Sequence, residues 1–182
     1  MLDVRETPLP GVLQIRPRRI EDERGFFSEV WNQAEWRKSG LDLAFVQENH
    51  SRSVRGVLRG LHYQLPPFAQ TKLVRVSRGA VFDAVVDIRS SSASFGRWFG
   101  MHLSAREWNQ LLVPEGFAHG FLALEPDTDV QYSVTAPYSA AHERAVRADD
   151  PAIGIEWPLT REEWILSPKD QAAPLLEQAE LF

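Results

Sequence analysis

Short strand-like runs recur at close intervals along the whole chain, and that spacing limits the fold more than any other feature. "GVLQIRP", "GFFSEVW", "LAFVQENHS", "GVLRGLHYQL", "TKLVRVSRG", "AVFDAVVDIR", "GRWFGMHLS", "QLLVPEG", "AHGFLALE" and "DVQYSVTAPY" are rich in β-branched and aromatic residues. Gly, Pro, Asp or Ser separates most of them. Many short strands with little helix between them predict an antiparallel sandwich or barrel. Helical signals are local. Asn32 reads as an N-cap with Glu35 at the third helical position and Gly40 as the stop. Ser104 and Glu107 read as a capping box for one or two turns, and Ser167 as the cap of a helix with Pro168 first and Asp170 in its opening turn. The expected fold is mostly β with a few short helices.

The 182 residues hold no repeat, linker or low-complexity tract, so one domain over 1–182 is expected. A net charge of −5 argues against non-specific nucleic-acid binding but leaves room for a local arginine cluster on a small anion. The chain has no cysteine, which excludes disulfides and thiolate metal sites and fits a reducing cytoplasm. The first residues carry early acids and two prolines where a signal peptide would be apolar, and no run approaches the roughly 20 residues of a membrane span. A soluble protein without membrane or nucleic-acid partners is expected.

"RGVLRGLHYQ", residues 55 to 64, poses the sharpest question. Strict alternation puts Arg59 on the face of Val57, Leu61 and Tyr63, and His62 on the opposite face with Leu58 and Gln64. One face must be core. Gly60, inside the strand, is where a bulge would reset the parity and turn Arg59 and His62 into one cavity.

Four stretches carry more polar chemistry than a plain sandwich needs. In "DERGFFSEVW", Arg24 and Gly25 form a turn, which taken alone reads first as a charged surface turn. Lys72 opens the strand of "TKLVRV", where a solvated strand end is the bland alternative. In "VPEGFAHGF", His119 shares a face with Phe117 and Phe121, either to work in a cavity or to donate to a backbone carbonyl. Tyr132 alternates with Val130 and Val134, so its ring points inward as core or as part of a site. The Pro-x-Gly-x-x-His pattern at Pro114, Gly116 and His119 resembles the second motif of cupins, which are jelly-roll barrels. The first cupin motif is replaced here by His62-Tyr63-Gln64 with no acid after it, a poor transition-metal set, so no metal is expected.

Taken in order, "DERGFFSEVW", "FVQENHS", "GVLRGLHYQ", "KLVRV", "VFDAVVDIR", "VPEGFAHGF" and "LSPKD" resemble the dTDP-4-dehydrorhamnose 3,5-epimerase family from near residue 7 to near residue 176. The resemblance implies an antiparallel, cupin-like jelly-roll barrel that works without metal or cofactor, commonly as a homodimer. It implies a dTDP-4-keto-6-deoxy sugar nucleotide as substrate, inverted at C3 and C5. By position it puts His62 on the base, Asp170 on its paired carboxylate, Tyr132 on the acid and Lys72 near the ketone oxygen. Arg24, Glu29, Gln47, Glu48, Asn49, Arg59, His119, Glu143 and Lys169 fall on substrate-binding positions, and Tyr138 on the aromatic that stacks on thymine. The chain departs from the family's pattern at Ser133, where many members have lysine, and at Ala148, where many have tryptophan.

The residue types suit that chemistry independently. C3 and C5 flank the C4 ketone, so their protons become removable when a cation such as Lys72 stabilises the enolate oxygen. Histidine ordinarily titrates near neutral pH, and a carboxylate beside it fixes its tautomer. Inversion needs a donor on the opposite face, a role for a phenol, and guanidinium forks match diphosphate oxygens. Two alternatives stay open: a mono-epimerase on a related dTDP-keto-sugar, and a non-catalytic sugar-binding jelly roll. The last leaves the set of Lys72, His62, Asp170 and Tyr132 unexplained.

Overall fold

The computed structural model describes residues 2–182. Its strands in chain order are β1 (Asp3–Glu6), β2 (Leu13–Arg16), β3 (Ile20–Asp22), β4 (Gly25–Phe27), β5 (Gln47–Ser53), β6 (Leu58–Gln64) and β7 (Lys72–Arg78). There follow β8 (Ala80–Asp87), β9 (Trp98–Ser104), β10 (Gln110–Val113), β11 (Phe117–Ala123), β12 (Thr128–Val134) and β13 (Glu143–Ala145). Two short helices, α1 (Gln33–Lys38) and α2 (Pro168–Gln171), and two single 3₁₀ turns complete the description. One sheet has the order β1-β2-β10-β7-β12-β5, the other β13-β6-β11-β8-β9, and β3-β4 form a separate hairpin. Every strand pairing within these sheets is antiparallel, giving the mostly β jelly roll that the strand spacing and the family resemblance imply.

Two-residue alternation decides what each sheet presents to the other. Val74, Val76, Leu111 and Val130 from the six-stranded sheet meet Val81, Val85, Leu103, Phe117 and Phe121 from the five-stranded one in a buried core. The outer face of the five-stranded sheet is covered by the C-terminal segment, through contacts such as Leu61, Val86 and Ala118 with Ile153 and Leu176. α1 lays Trp36 over Ile15, Leu73 and Leu112 on the outside of the other sheet. At one end of the barrel the inward positions turn polar: Lys72 precedes Val74, His119 lies between Phe117 and Phe121, and Tyr132 follows Val130. That end is where a ligand can enter.

The local predictions divide. Asn32 caps α1 by accepting from the backbone N–H groups of Ala34 and Glu35, and Ser167 caps α2 by accepting from Asp170. The turns expected after Ser104 are not helical. Ser104 Oγ does accept from the Glu107 N–H at 3.0 Å, but Trp108 then takes φ 55° and β10 starts two residues later, so there is no length for a helix. β1, β3 and β13, at three or four residues each, are too short to announce themselves against their polar neighbours.

The parity question at Gly60 has a direct answer. β11 pairs with β6 as His119 opposite His62 but Phe121 opposite Arg59, a register shift that inserts one extra residue on β6. Arg59 and His62 consequently both line the interior cavity, while Leu61 and Tyr63 pack outward. Glycine is required twice here. A Cβ on Gly60, whose φ is +142°, would lie 2.5 Å from the Gly120 Cα, and a Cβ on Gly120 would lie 2.7 Å from the Arg59 carbonyl oxygen. Both contacts are with backbone, which cannot rotate away. Gly60→Ala is expected to cost about 2–4 kcal/mol in a denaturant titration, as a forced overpacking does. A loss under about 0.5 kcal/mol would show that the crossing tolerates a side chain.

Candidate active site

A cavity of about 490 Å³ opens between the sheets at their polar end. Arg59, His62 and His119 come from β6 and β11 on one wall; Gln47, Asn49, Lys72 and Tyr132 come from β5, β7 and β12 on the other. Tyr138, Glu143, Lys169 and Asp170 close the rim. Eleven of the fourteen residues singled out from the sequence therefore meet in one place.

His62 Nε2 lies 2.5 Å from Asp170 Oδ1. A carboxylate can only accept, so this contact puts the proton on Nε2 and leaves Nδ1 of a neutral ring as an acceptor. α2 positions the acid: Pro168 starts the helix, and the hydroxyl of Ser167 donates to Asp170 Oδ2 at 2.8 Å. Burial pushes the Asp170 carboxyl upward. The hydrogen bonds from His62 and Ser167, with the nearby charges of His62 and Lys169, outweigh that and hold it below its ordinary value. Asp170 is thus an ionised orienter.

Lys72 is 6% exposed and not the solvated strand end that its position suggests. Its Nζ donates to the His62 carbonyl at 3.0 Å, tying the two walls together. Burial lowers its pKa to about 8, against the opposing pull of Asp83 and Glu143. At neutral pH the group still carries its proton, with little water around it. Tyr132 packs its ring against the core, and burial raises its phenol further above its usual range, so it stays a protonated donor. An imidazole from one sheet and a phenol from the other can meet opposite faces of a molecule held between them.

At the rim, the Tyr138 hydroxyl donates to Glu143 Oε2 at 2.7 Å, and Lys169 forms an ion pair with the same oxygen. Burial acts to raise Glu143, but Lys169, Tyr138 and His62 together bring it below its ordinary value. Gln47 accepts from the backbone N–H of Tyr138 at 3.0 Å and donates to Asn49 at 2.8 Å. Tyr138 itself is 56% exposed, with its ring free to receive a flat partner.

Three of the singled-out residues lie outside the cavity. Glu48 alternates with Gln47 and Asn49 along β5 and so faces away, 4.0 Å from Arg75. Arg24 and Glu29 are exposed on and beside the β3-β4 hairpin, with Arg24 paired to Asp22. One residue was missed. Asp83 is fully buried on β8 with both carboxylate oxygens 3.0 Å from His119 Nε2. Its signal in the sequence was an acid inside the apolar run "AVFDAVV", since an unpaired buried carboxylate is too costly to persist. Among the described residues no three His, Asp or Glu side chains gather where they could share a metal ion. His62 and His119 each give one ring nitrogen to an aspartate.

The sequence matches the family model described as dTDP-4-dehydrorhamnose 3,5-epimerase over residues 6–178. A protein of that name from Sinorhizobium fredii is 52% identical over 163 residues, covering 89% of this chain and 83% of its own. One from Salmonella typhimurium is 49% identical over 180 residues, 98% of each chain. Among solved structures, dTDP-6-deoxy-D-glucose-3,5-epimerase from Legionella pneumophila, in complex with dTDP-4-keto-L-rhamnose, is similar with a TM-score of 0.94 and 43% identity. The match covers 98% of this chain and 94% of that one.

The burial of Lys72 has a measurable consequence. Its folded pKa of about 8 lies below the unfolded value of 10.5, so the folded state binds this proton less tightly than the unfolded one. That cost is fully present below pH 8 and fades as pH rises through 8 to 10.5. Lys72→Met is therefore expected to be more stable than wild type at pH 7, by about 1–3 kcal/mol, with the gain shrinking towards pH 10. A variant less stable than wild type at pH 7 would show that Lys72 is held there by favourable partners and not against its desolvation.

Proposed function

We propose that this chain, which belongs to the dTDP-4-dehydrorhamnose 3,5-epimerase family, inverts C3 and C5 of dTDP-4-dehydro-6-deoxy-D-glucose to give dTDP-4-dehydro-L-rhamnose. The observation that carries this reading is the pair of opposed walls: His62 on one sheet, held by Asp170 from α2, and a buried lysine and a phenol on the other.

With the sugar between the sheets, His62 Nδ1 takes the proton from C3 or C5. The electron pair moves onto the C4 oxygen, where the Lys72 ammonium stabilises the enolate in a site poor in water. Asp170 holds the imidazole in its tautomer and favours the imidazolium that forms. Tyr132 then gives its proton to the same carbon from the other face, which inverts it. Nothing in this sequence of proton transfers needs a cofactor. Arg59 and Lys169 bind the diphosphate, His119 holds sugar oxygens with Asp83 orienting its ring, Gln47 and Asn49 add polar contacts, and Tyr138 stacks on the thymine. Glu143 keeps Lys169 at the rim until phosphate oxygens take over that pairing.

A homodimer completes this reading. Arg24 and Glu29 sit outside their own cavity, on a hairpin that also leaves Phe26 at 49% and Phe27 at 68% exposed. In a two-fold dimer the hairpin of one copy reaches the cavity of the other, which puts both charged residues on substrate and covers the phenylalanines. No helix among the described residues is long and apolar enough to cross a membrane. The cysteine-free chain fits the reducing cytoplasm.

The base assignment is tested with the 4-keto sugar nucleotide in deuterated water. His62→Ala is expected to bind dTDP but to introduce no deuterium at C3 or C5, with turnover down by about 10²–10⁴. Asp170→Asn should fall between that variant and wild type. Wild-type exchange in His62→Ala would remove His62 as the base. For the dimer, sedimentation velocity at micromolar concentration should give twice the chain's mass, and a monomer would leave Arg24 and Glu29 without a role.

A further inference from the structure

A second cleft, of about 500 Å³, lies away from the cavity, at the base of the β3-β4 hairpin. Arg16, Arg18 and Arg19 enter it from the end of β2 and the segment that follows, and Arg106 and Trp108 enter from the turn between β9 and β10. Four arginines line this cleft, in a protein of net charge −5, against two lining acids, Asp3 and Glu107. The carboxylates at hand are already committed. Glu107 pairs with Arg16 at 3.4 Å, Glu21 with Arg19, and Asp3 with Arg5 at 2.8 Å. Arg18 and Arg106 are exposed and enter no ion pair among the described residues, so two complete guanidinium forks remain free.

The floor of the cleft is built at a conformational cost. Trp108 holds φ 55°, a region that bulky residues rarely occupy, and such a residue persists only when its surroundings hold it there. They do: its Nε1 donates to Ser28 Oγ at 2.8 Å, Ser28 donates to the Arg18 carbonyl at 2.8 Å, and Phe26 meets the indole edge-on at 4.7 Å. The network fixes the Arg18 backbone beside the indole. Arg19 is held separately, with its guanidinium 4.7 Å above the Phe26 ring and a donation to the Arg106 carbonyl at 3.5 Å. The Arg18 backbone and the Arg19 side chain are thus held on a fixed base.

We propose that this cleft binds the phosphate groups of a small polyphosphate anion, pyrophosphate itself or the tail of a nucleoside triphosphate, at a site separate from the sugar-nucleotide cavity. Paired forks favour phosphate oxygens over a monatomic ion, because each guanidinium can meet two oxygens at once. The free forks of Arg18 and Arg106, beside the paired Arg16 and Arg19, match one such anion. They do not make the extended basic track that a nucleic acid needs.

Calorimetric titration of pyrophosphate, and separately of ATP, tests this with the whole protein. For pyrophosphate the wild-type isotherm should need two sites per chain, one here and one in the cavity. The double variant Arg18→Ala/Arg106→Ala should lose one site, with at least tenfold weaker binding there, and keep the other. Arg59→Ala should do the reverse. Binding of ATP to the same site identifies the phosphate tail as what is recognised, and pyrophosphate binding alone identifies the free anion. A double variant whose isotherms superimpose on wild type would overturn the proposal. So would an equal loss in Arg37→Ala/Arg55→Ala, two arginines already paired with Asp42 and Glu163 elsewhere on the surface.

Discussion

The backbone crossing of Gly60 over Gly120 is the constraint on which the site depends. Neither residue can carry a side chain, because each would place a Cβ within 3 Å of the other strand's backbone. The close approach sits where β6 and β11 lose one residue of register, and that shift puts Arg59 and His62 on the same side of the sheet. Without it, one of the two would point into the apolar packing of Leu61, Tyr63 and Ile153 on the outer face. A local break in the two-residue rule therefore turns a structural strand into the wall of a binding site.

The rest of the polar end is a balance between burial and pairing. Asp170, Asp83 and Glu143 lie beneath or along the cavity, and each has a partner: His62, His119 and Lys169 respectively. Lys72 is the exception, with only a carbonyl at hydrogen-bond distance and its charge offset at longer range by Asp83 and Glu143. A cation held against its desolvation is well placed to stabilise negative charge as it develops on a bound ketone, since the new charge relieves an existing cost. Burying the Lys72 charge costs stability, and the apolar half of the barrel offsets that cost.

How much of this was legible in the sequence depends on whether the signal was local. Asn32, Ser167 and Pro168 act within one turn of themselves, and both helices begin where those residues predict. The strand runs gave the β architecture, and Gly60 gave the bulge. The turn after Ser104 failed because helix length there is set by where β10 must start, a tertiary demand that no cap reveals. Glu48 shows the same limit: a motif carries it beside Gln47 and Asn49, while strand parity turns it outward. The pairing of Asp83 is not legible locally, because its partner, His119, lies 36 residues away in sequence. Arg24 and Glu29 stand out in the sequence only through a motif, and the fold leaves both outside the cavity.

The central claim is that proton removal and proton return come from opposite sheets, and Tyr132→Phe separates them. The substitution keeps the ring against the core and removes only the donor. With the 4-keto sugar nucleotide in deuterated water, NMR should show deuterium still entering at C3 or C5, because His62 can take a proton and return a deuteron on its own side. Inverted product should fall by about 10²–10⁴ over the same interval. Inversion at the wild-type rate in Tyr132→Phe, with label and inversion still in step, would contradict the two-wall account.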